Sequence, residues 1–395
     1  MKAPKIDYRY FFRYGMLNSS ASIIEAITGF IFQTIILVYL STTEYAKYQW
    51  YLVFFGYFML LTVPTLRQYA QHLFYRYKIK AWYTLYKFKI ILQTIGSLAV
   101  FTISFFIPQF QTEMQLAAIL VLLGNFSLYN DFFQVTEQFK EITMNRILRY
   151  SFYFGLAIIM TVKYKNGLVT AFTVLVAEQM FHIIYSFYVN LKNNVQKQRI
   201  KLDYSQILFL QGQQLVQLLH KIEILLIPLF FPLQTLAMYS ASQIIPSAMN
   251  NLIKNTVMIT ITKKVLQNDM NQLFQKFRTN IVWIMFVSGL SVIIISLISI
   301  SYLYLTKSNL INLAIIILFG ILSLTNFFSN VLHKILNLNL KSKKSLIIKS
   351  KLTIVQVTLV IIFLILQNIY MLVTSKIVIT IIELYFITRG KNDQS

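Results

Sequence analysis

Apolar runs of about 20 residues, each long enough to cross a bilayer as a helix, recur along the whole chain between short polar or basic stretches. They predict twelve membrane spans, at 14–40, 46–69, 83–107, 114–134, 146–162, 167–189, 205–231, 235–258, 279–304, 309–332, 352–367 and 370–388. The fifth is short. The last two are almost continuous, divided only at Gln367-Asn368. The pattern shows no alternating strands set off by turns, so a β-barrel is not expected. The apolar stretch after Arg13 runs on to Leu40. It is longer than the core of a cleaved signal and is expected to stay as the first span.

Two spans depart from uniform apolarity. The seventh carries Gln213, Gln214, Gln217, His220, Lys221 and Glu223, and the eighth carries Ser240, Gln243, Ser247, Asn250 and Lys254. Gln214, Gln217 and Lys221 fall at i, i+3, i+7 and share one helical face. Phe231-Pro232-Leu233-Gln234-Thr235 joins the two helices, and Pro246 interrupts the second. A polar stripe on a membrane helix needs a bundle interior or a water-filled cavity. The expected fold is therefore an all-α integral membrane protein, with about 12 transmembrane helices in two six-helix halves around a central cavity.

Composition sharpens this. Only 12% of the 395 residues are charged and 57% are hydrophobic, against roughly 25% charged in soluble proteins. Cysteine is absent, which removes disulfides and thiolate chemistry. The net charge of +23 suggests nucleic acid until its distribution is examined. With the N-terminus cytoplasmic, 30 of the 36 Lys and Arg fall on the inner side and five (Lys47, Lys163, Lys165, Lys307, Lys376) on the outer side, leaving Lys221 in the membrane. That asymmetry is the positive-inside rule. It predicts both termini in the cytoplasm of a multi-pass inner (cytoplasmic) membrane protein that meets anionic lipid headgroups, with no nucleic acid partner. In that count Lys89 and Arg149 belong to inner-side basic segments.

The chain divides at the basic linker Asn190–Asp203, giving halves 1–198 and 199–395. Six spans in each make parallel repeats. A short echo links them: Ala46-Lys47-Tyr48 and Ala237-Met238-Tyr239 both open the second helix of a half, and each of those helices contains a proline, Pro64 or Pro246.

These motifs carry a resemblance. Thr43-Glu44-Tyr45-Ala46-Lys47-Tyr48, and Lys221-Ile222-Glu223 followed by Leu236-Ala237-Met238-Tyr239-Ser240, resemble those of the multidrug/oligosaccharidyl-lipid/polysaccharide exporter superfamily, and within it the Wzx-type repeat-unit flippases of O-antigen and capsule. The chain departs from the pattern where Ala46 and Ala237 replace the usual Gly and Glu223 the usual Asp. The resemblance implies a transporter, not an enzyme, that moves an undecaprenyl-diphosphate-linked oligosaccharide from the cytoplasmic to the outer leaflet by alternating access. It also implies a partnership with a polysaccharide polymerase and a chain-length regulator.

On that reading Lys221, Arg13 and Arg67 attract the diphosphate. Gln214, Gln217, Gln243 and Asn250 bond sugar hydroxyls. Glu25, Glu178 and Glu223 are candidates to carry a coupling proton or sodium ion. Structural alternatives stand beside each role. Lys221 pairs with Glu223, Glu178 or Glu25 to fix packing, or Glu178 and His182 form a local pair at i, i+4, or the polar stripes glue helices together. Glu383 sits toward the cytoplasmic end of the twelfth span and is expected at the interface. No phosphate-cradling Gly-rich loop and no metal-ligand spacing appear, so neither cofactor nor metal is expected. The competing functions are a cation-coupled multidrug exporter, which calls for an acid-lined pocket, and a membrane-embedded polymerase or acyltransferase, for which His182 and His220 are the available bases.

Overall fold

The computed structural model describes residues 27–62, 80–124, 126–136, 138–192, 222–250, 281–338 and 342–389, with isolated positions among 70–77 and 202–219. Arg13, Glu25, Arg67, Gln214, Gln217 and Lys221 lie outside the described residues. The described elements are helical: α1 (Ile27–Tyr39), α2 (Thr42–Thr62), α3 (Ala81–Ser104), α4 (Gln111–Leu123), α5 (Leu128–Val135), α6 (Phe139–Tyr164), α7 (Gly167–Lys192), α8 (Ile222–Phe230), α9 (Leu233–Ser242), α10 (Ile281–Lys307), α11 (Leu313–Leu338), α12 (Ser342–Ile365) and α13 (Ile369–Arg389). Among the described residues, six stretches are long and apolar enough to cross a membrane: Ala81–Ser104, Pro108–Phe133, Gly167–Lys192, Gly289–Leu310, Ile347–Ile365 and Ile369–Phe386.

The chain forms two compact units. One runs from Tyr39 to Lys221 and also takes in Met1–Glu25; the other runs from Ile222 to Ser395 and takes in Ala26–Val38. Within the second unit Tyr302 on α10 donates to Thr34 Oγ1 on α1 at 3.1 Å, and the Tyr302 ring lies 5.3 Å from that of Phe30. The first unit has an aromatic core in which Trp82 packs 5.8 Å from Phe74 and 5.7 Å from Phe132.

Local chemistry fixes the turns, and the two units use the same devices. α6 ends on Lys165 in the left-handed region (φ 49°), after which Asn166 Oδ1 accepts from Val169 N at 3.0 Å and caps α7. α12 ends on Gln367 (φ 53°), after which Asn368 Oδ1 accepts from Met371 N at 3.0 Å and caps α13. A single 3₁₀ turn sits in each preceding hairpin, Pro108–Phe110 in one unit and Ser308–Leu310 in the other. The split expected at Gln367-Asn368 is present, and Lys165-Asn166 is its counterpart.

Three helical expectations need correction. The fourth span is not continuous over 114–134, because α4 stops at Gly124 and α5 restarts after Ser127. The fifth is not short: α6 has 26 residues. The eighth is turned at Gln243 after α9 and is helical again over 244–250. There Pro246 has no N–H to offer the carbonyl four residues earlier, at Ser242, which favours a break at that point.

The first echo motif is a clamp. Ser41 Oγ caps the Glu44 amide at 3.2 Å. Glu44 itself accepts from Lys47 Nζ and from the Gly167 amide at the start of α7, both at 2.7 Å. Burial pushes the Glu44 carboxyl up, but the Gly167 amide and the Lys47 ammonium outweigh it and hold it below its ordinary 4.5. Tyr45, Ala46 and Tyr48 are buried beneath this clamp, as are Ala237 and Tyr239 at the matching place in the second unit. A side chain on Gly167 would meet the Glu44 carbonyl at 2.2 Å and the Tyr48 amide at 2.8 Å. Backbone atoms cannot swing away, so Gly167→Ala is expected to destabilise by about 1–3 kcal/mol. Thermal unfolding in detergent measures this; an unchanged Tm would show that the α2–α7 approach is looser.

Candidate functional site

In each unit a few ionisable side chains are buried among apolar helices and solve the same problem. A charge removed from water is costly unless a partner sits beside it.

The first site lies on α3, α5, α6 and α7. Glu178 Oε1 is 3.6 Å from Arg149 Nη1 and 3.8 Å from His182 Nε2. His182 Nδ1 meets Tyr129 OH at 2.5 Å, and that hydroxyl accepts from Asn145 Nδ2 at 3.2 Å. The Tyr129 hydroxyl thus ties His182 Nδ1 to Asn145, while His182 Nε2 faces the Glu178 carboxylate. Arg149 also donates to Tyr150 OH at 2.9 Å and lies over that ring at 4.7 Å. Glu178 retains 29% of its side-chain exposure, whereas His182 has 4%. The site is thus a carboxylate open on one side, bracketed by a guanidinium and an imidazole. Beside it Lys89, 3% exposed, is buried within the electrostatic reach of Asp131, 4% exposed.

Two sequence assignments change here. Arg149 is not an inner-loop anchor, because it lies ten residues into α6 with only 15% of its side chain exposed. Lys89 likewise lies inside α3 rather than in a basic loop. The Glu178–His182 pair is present and belongs to a larger network whose cation, Arg149, comes from another helix.

The second site lies on α8, α9, α11 and α13. Glu223 Oε1 pairs with Lys376 Nζ and accepts from Tyr239 OH at 3.3 Å. The charge count puts Lys376 on the outer side. It instead sits seven residues into α13, about 10 Å along the helix, with 11% side-chain exposure. Thr380 and Glu383 follow it on the same face at i+4 and i+7. Thr380 Oγ1 meets Asn326 Oδ1 at 3.4 Å, and Glu383 accepts from Ser329 Oγ at 2.6 Å. Glu383 is buried, which corrects its expected interfacial position.

Of the expected sugar-binding residues, Gln243 closes α9 at the turn, where its carbonyl accepts from Ser247 N at 2.9 Å. Asn250 is half-buried, and its Oδ1 has no hydrogen-bond partner. Glu178 and Glu223 are the described members of the expected coupling set, and they lie in different units. Neither has a cationic neighbour that its own helix sequence foretold: the partners named for Lys221, Glu178 and Glu223, are held by Arg149 and Lys376.

No protein-family model and no curated protein matches this chain. Solved structures do. An outward-facing multidrug-resistance MATE family transporter of the MOP superfamily aligns over 97% of both chains, with a TM-score of 0.60 and 15% identity. A MOP superfamily transporter from Pyrococcus furiosus, described as having a binding pocket of reversed polarity, aligns over 96% of this chain and 95% of its own, at TM-score 0.57 and 14% identity. A eukaryotic MATE transporter aligns over 96% of each chain at TM-score 0.54 and 11% identity. The likeness runs the length of the chain and establishes its architecture: this is an all-α, multi-pass membrane protein with the fold of MATE transporters of the MOP superfamily.

Proposed function

We propose that the chain is an alternating-access membrane transporter that flips an anionic, diphosphate-linked oligosaccharide lipid from the cytoplasmic to the outer leaflet, working beside a polymerase and a chain-length regulator. The fold supports transport. The observation that favours an anionic cargo over a cationic drug is charge compensation. Glu178 has Arg149 and Glu223 has Lys376 beside it, and the buried Asp131 lies within the electrostatic reach of Lys89. A pocket that captures cations needs carboxylates free to receive them, and Glu178 and Glu223 already face basic side chains. The excess of 36 basic over 13 acidic residues leaves Lys221, Arg13 and Arg67 for the diphosphate, with Gln214, Gln217, Gln243 and Asn250 for sugar hydroxyls. Glu178 with His182, and Glu223, are the groups to carry a coupling proton, with Glu25 a third.

A multidrug exporter is the second reading, because MATE transporters are among the solved structures that align. Transport by the purified protein in proteoliposomes separates the two. Movement of a fluorescent undecaprenyl-diphosphate oligosaccharide, without uptake of cationic dyes such as ethidium, is the expected result. Dye transport driven by a proton or sodium gradient, with the lipid left in place, would replace the flippase by the exporter.

A further inference from the structure

On the Nδ1 side of His182, opposite the nitrogen that faces Glu178, the first unit holds two further polar groups. Tyr129 on α5 and Asn145 on α6 are both fully buried. They continue the contacts of His182 as a chain. Asn145 Nδ2 donates to Tyr129 OH at 3.2 Å, and Tyr129 OH lies 2.5 Å from His182 Nδ1. The other end of the Asn145 amide, Oδ1, is buried too and has no hydrogen-bond partner. An unmet buried carbonyl is costly, because water would have satisfied it. Its place at the end of this chain gives it a use.

A neutral imidazole has one N–H and one bare nitrogen, whereas an imidazolium has an N–H on both. Tyr129 donates to Nδ1 only while that nitrogen is bare. Once His182 is charged, Nδ1–H donates to the Tyr129 oxygen, and the Tyr129 proton needs a different acceptor. Among the described residues, the hydrogen-bond partners of that hydroxyl are His182 and Asn145. The acceptor therefore has to come from Asn145. Its Oδ1 gets there by a half-turn about the last side-chain torsion, which is broad and roughly two-fold. Either way round one end of the amide is left without a partner, so neither arrangement is locked in. The charges around His182 show why the acceptor matters. It faces the Glu178 carboxylate on its own helix, Nε2 to Oε1 at 3.8 Å, and against that the Arg149 guanidinium on α6 and the Lys89 ammonium on α3. Lys89 in turn lies within the electrostatic reach of Asp131 on α5. A single carboxylate between two cations does not by itself balance an imidazolium out of water. A chain of oriented dipoles on Nδ1 adds stabilisation without a further charge.

We infer that Asn145 and Tyr129 are positioning residues for a proton-binding His182, and that their hydrogen-bond chain reverses when the proton binds. With a neutral imidazole the chain runs from the Asn145 amide through Tyr129 to a bare Nδ1. With an imidazolium it runs from Nδ1–H through Tyr129 to Asn145 Oδ1. The net change is one N–H bond formed at His182 with a proton taken from water; Tyr129 keeps its own proton and only turns it. The chain rests on the reading of Glu178 with His182 as carriers of a coupling proton, but it concerns proton binding alone and is read without cargo.

Nitrogen NMR of the purified full chain, labelled with nitrogen-15 in the histidine rings, tests this across a pH series. The sequence has four histidines, and the His182 signals are those that His182→Gln removes. Wild-type His182 is expected as a single neutral tautomer with a bare Nδ1 at high pH, and with both nitrogens protonated after acidification. Tyr129→Phe keeps the buried ring and removes the hydroxyl. It is expected to mix the two neutral tautomers and to move the protonation midpoint down by about one pH unit, because the charged form loses the stronger bond. Asn145→Leu is expected to move the midpoint the same way, since the Tyr129 proton then has no acceptor beside a charged His182. In the Tyr129→Phe background Asn145→Leu is expected to move it no further, because Asn145 acts through the hydroxyl. If Asn145→Leu fails to fold, the wild-type spectra and Tyr129→Phe carry the test. A wild-type His182 that stays neutral at every pH at which the protein is folded would overturn the chain, as would a neutral form protonated on Nδ1. So would a midpoint that Tyr129→Phe leaves in place or raises, which would make the three groups packing contacts alone.

Discussion

Lys376→Met is expected to be among the most damaging substitutions away from the expected substrate-binding residues, costing about 3–5 kcal/mol of stability. The reason lies in what it leaves behind. Glu223 has 3% side-chain exposure, and its Oε2 has no partner at all. Removing the ammonium leaves a buried carboxylate held by Tyr239 alone. Glu223→Gln removes the carboxylate charge that faces the mostly buried Lys376 ammonium. The double variant Glu223→Gln/Lys376→Met removes both charges and is expected to recover most of the loss, because a buried pair contributes little beyond cancelling its own desolvation. A thermal-unfolding double-mutant cycle measures the coupling. Additive losses would mean that the two charges do not depend on each other, and that the pairing of α8 with α13 is not what holds Glu223 in place.

The second large effect is expected at Arg149. Arg149→Met takes the guanidinium from Glu178 and leaves the His182 imidazole as the remaining partner that the structure shows. Glu178 remains partly open, so the stability cost is discounted to about 1–2 kcal/mol. Transport is expected to fall more steeply, at least about tenfold, because the guanidinium is the fixed cation beside the carboxylate that would carry the coupling proton. Arg149→Lys retains the charge but not the planar fork, and is expected to keep part of the rate. Rates of flipping beside Tm values for the same variants decide this. If transport follows Tm in strict proportion, the cluster is structural glue.

The parts of this molecule that were legible in the sequence are those governed by the bilayer. Uniformly apolar runs announce membrane helices wherever they lie, and Gln367-Asn368 stood out as a polar pair in an otherwise continuous run. Its twin Lys165-Asn166 carries the same left-handed residue and Asn cap, and was visible in principle as another helix-ending pair. The Gly124 break was harder to see. Gly-Asn-Phe-Ser interrupts an apolar run without a proline, and only Gly124 and a Ser at the N-cap position of α5 mark it in the sequence.

Charge partners were not legible, for a physical reason. Counting Lys and Arg by loop assumes that a basic residue near a helix end snorkels to water. Lys89, Arg149 and Lys376 turn inward instead, and their carboxylates lie on other helices, for Lys376 at a separation of 153 residues. Helical periodicity finds Glu178 and His182 because they share a face. It carries no information on which neighbouring helix brings the cation.

The most direct test of the proposed transport is to ask which leaflet holds the undecaprenyl-diphosphate oligosaccharide in cells that lack this gene. Complete repeat units are expected to accumulate on the cytoplasmic side, and the wild-type gene is expected to clear them. Lys221→Ala is expected to fail to do so while still reaching the membrane. Units that arrive normally on the outer leaflet of the deletion strain, but are left unpolymerised or unmodified there, would contradict the flippase and assign the chain a step after translocation.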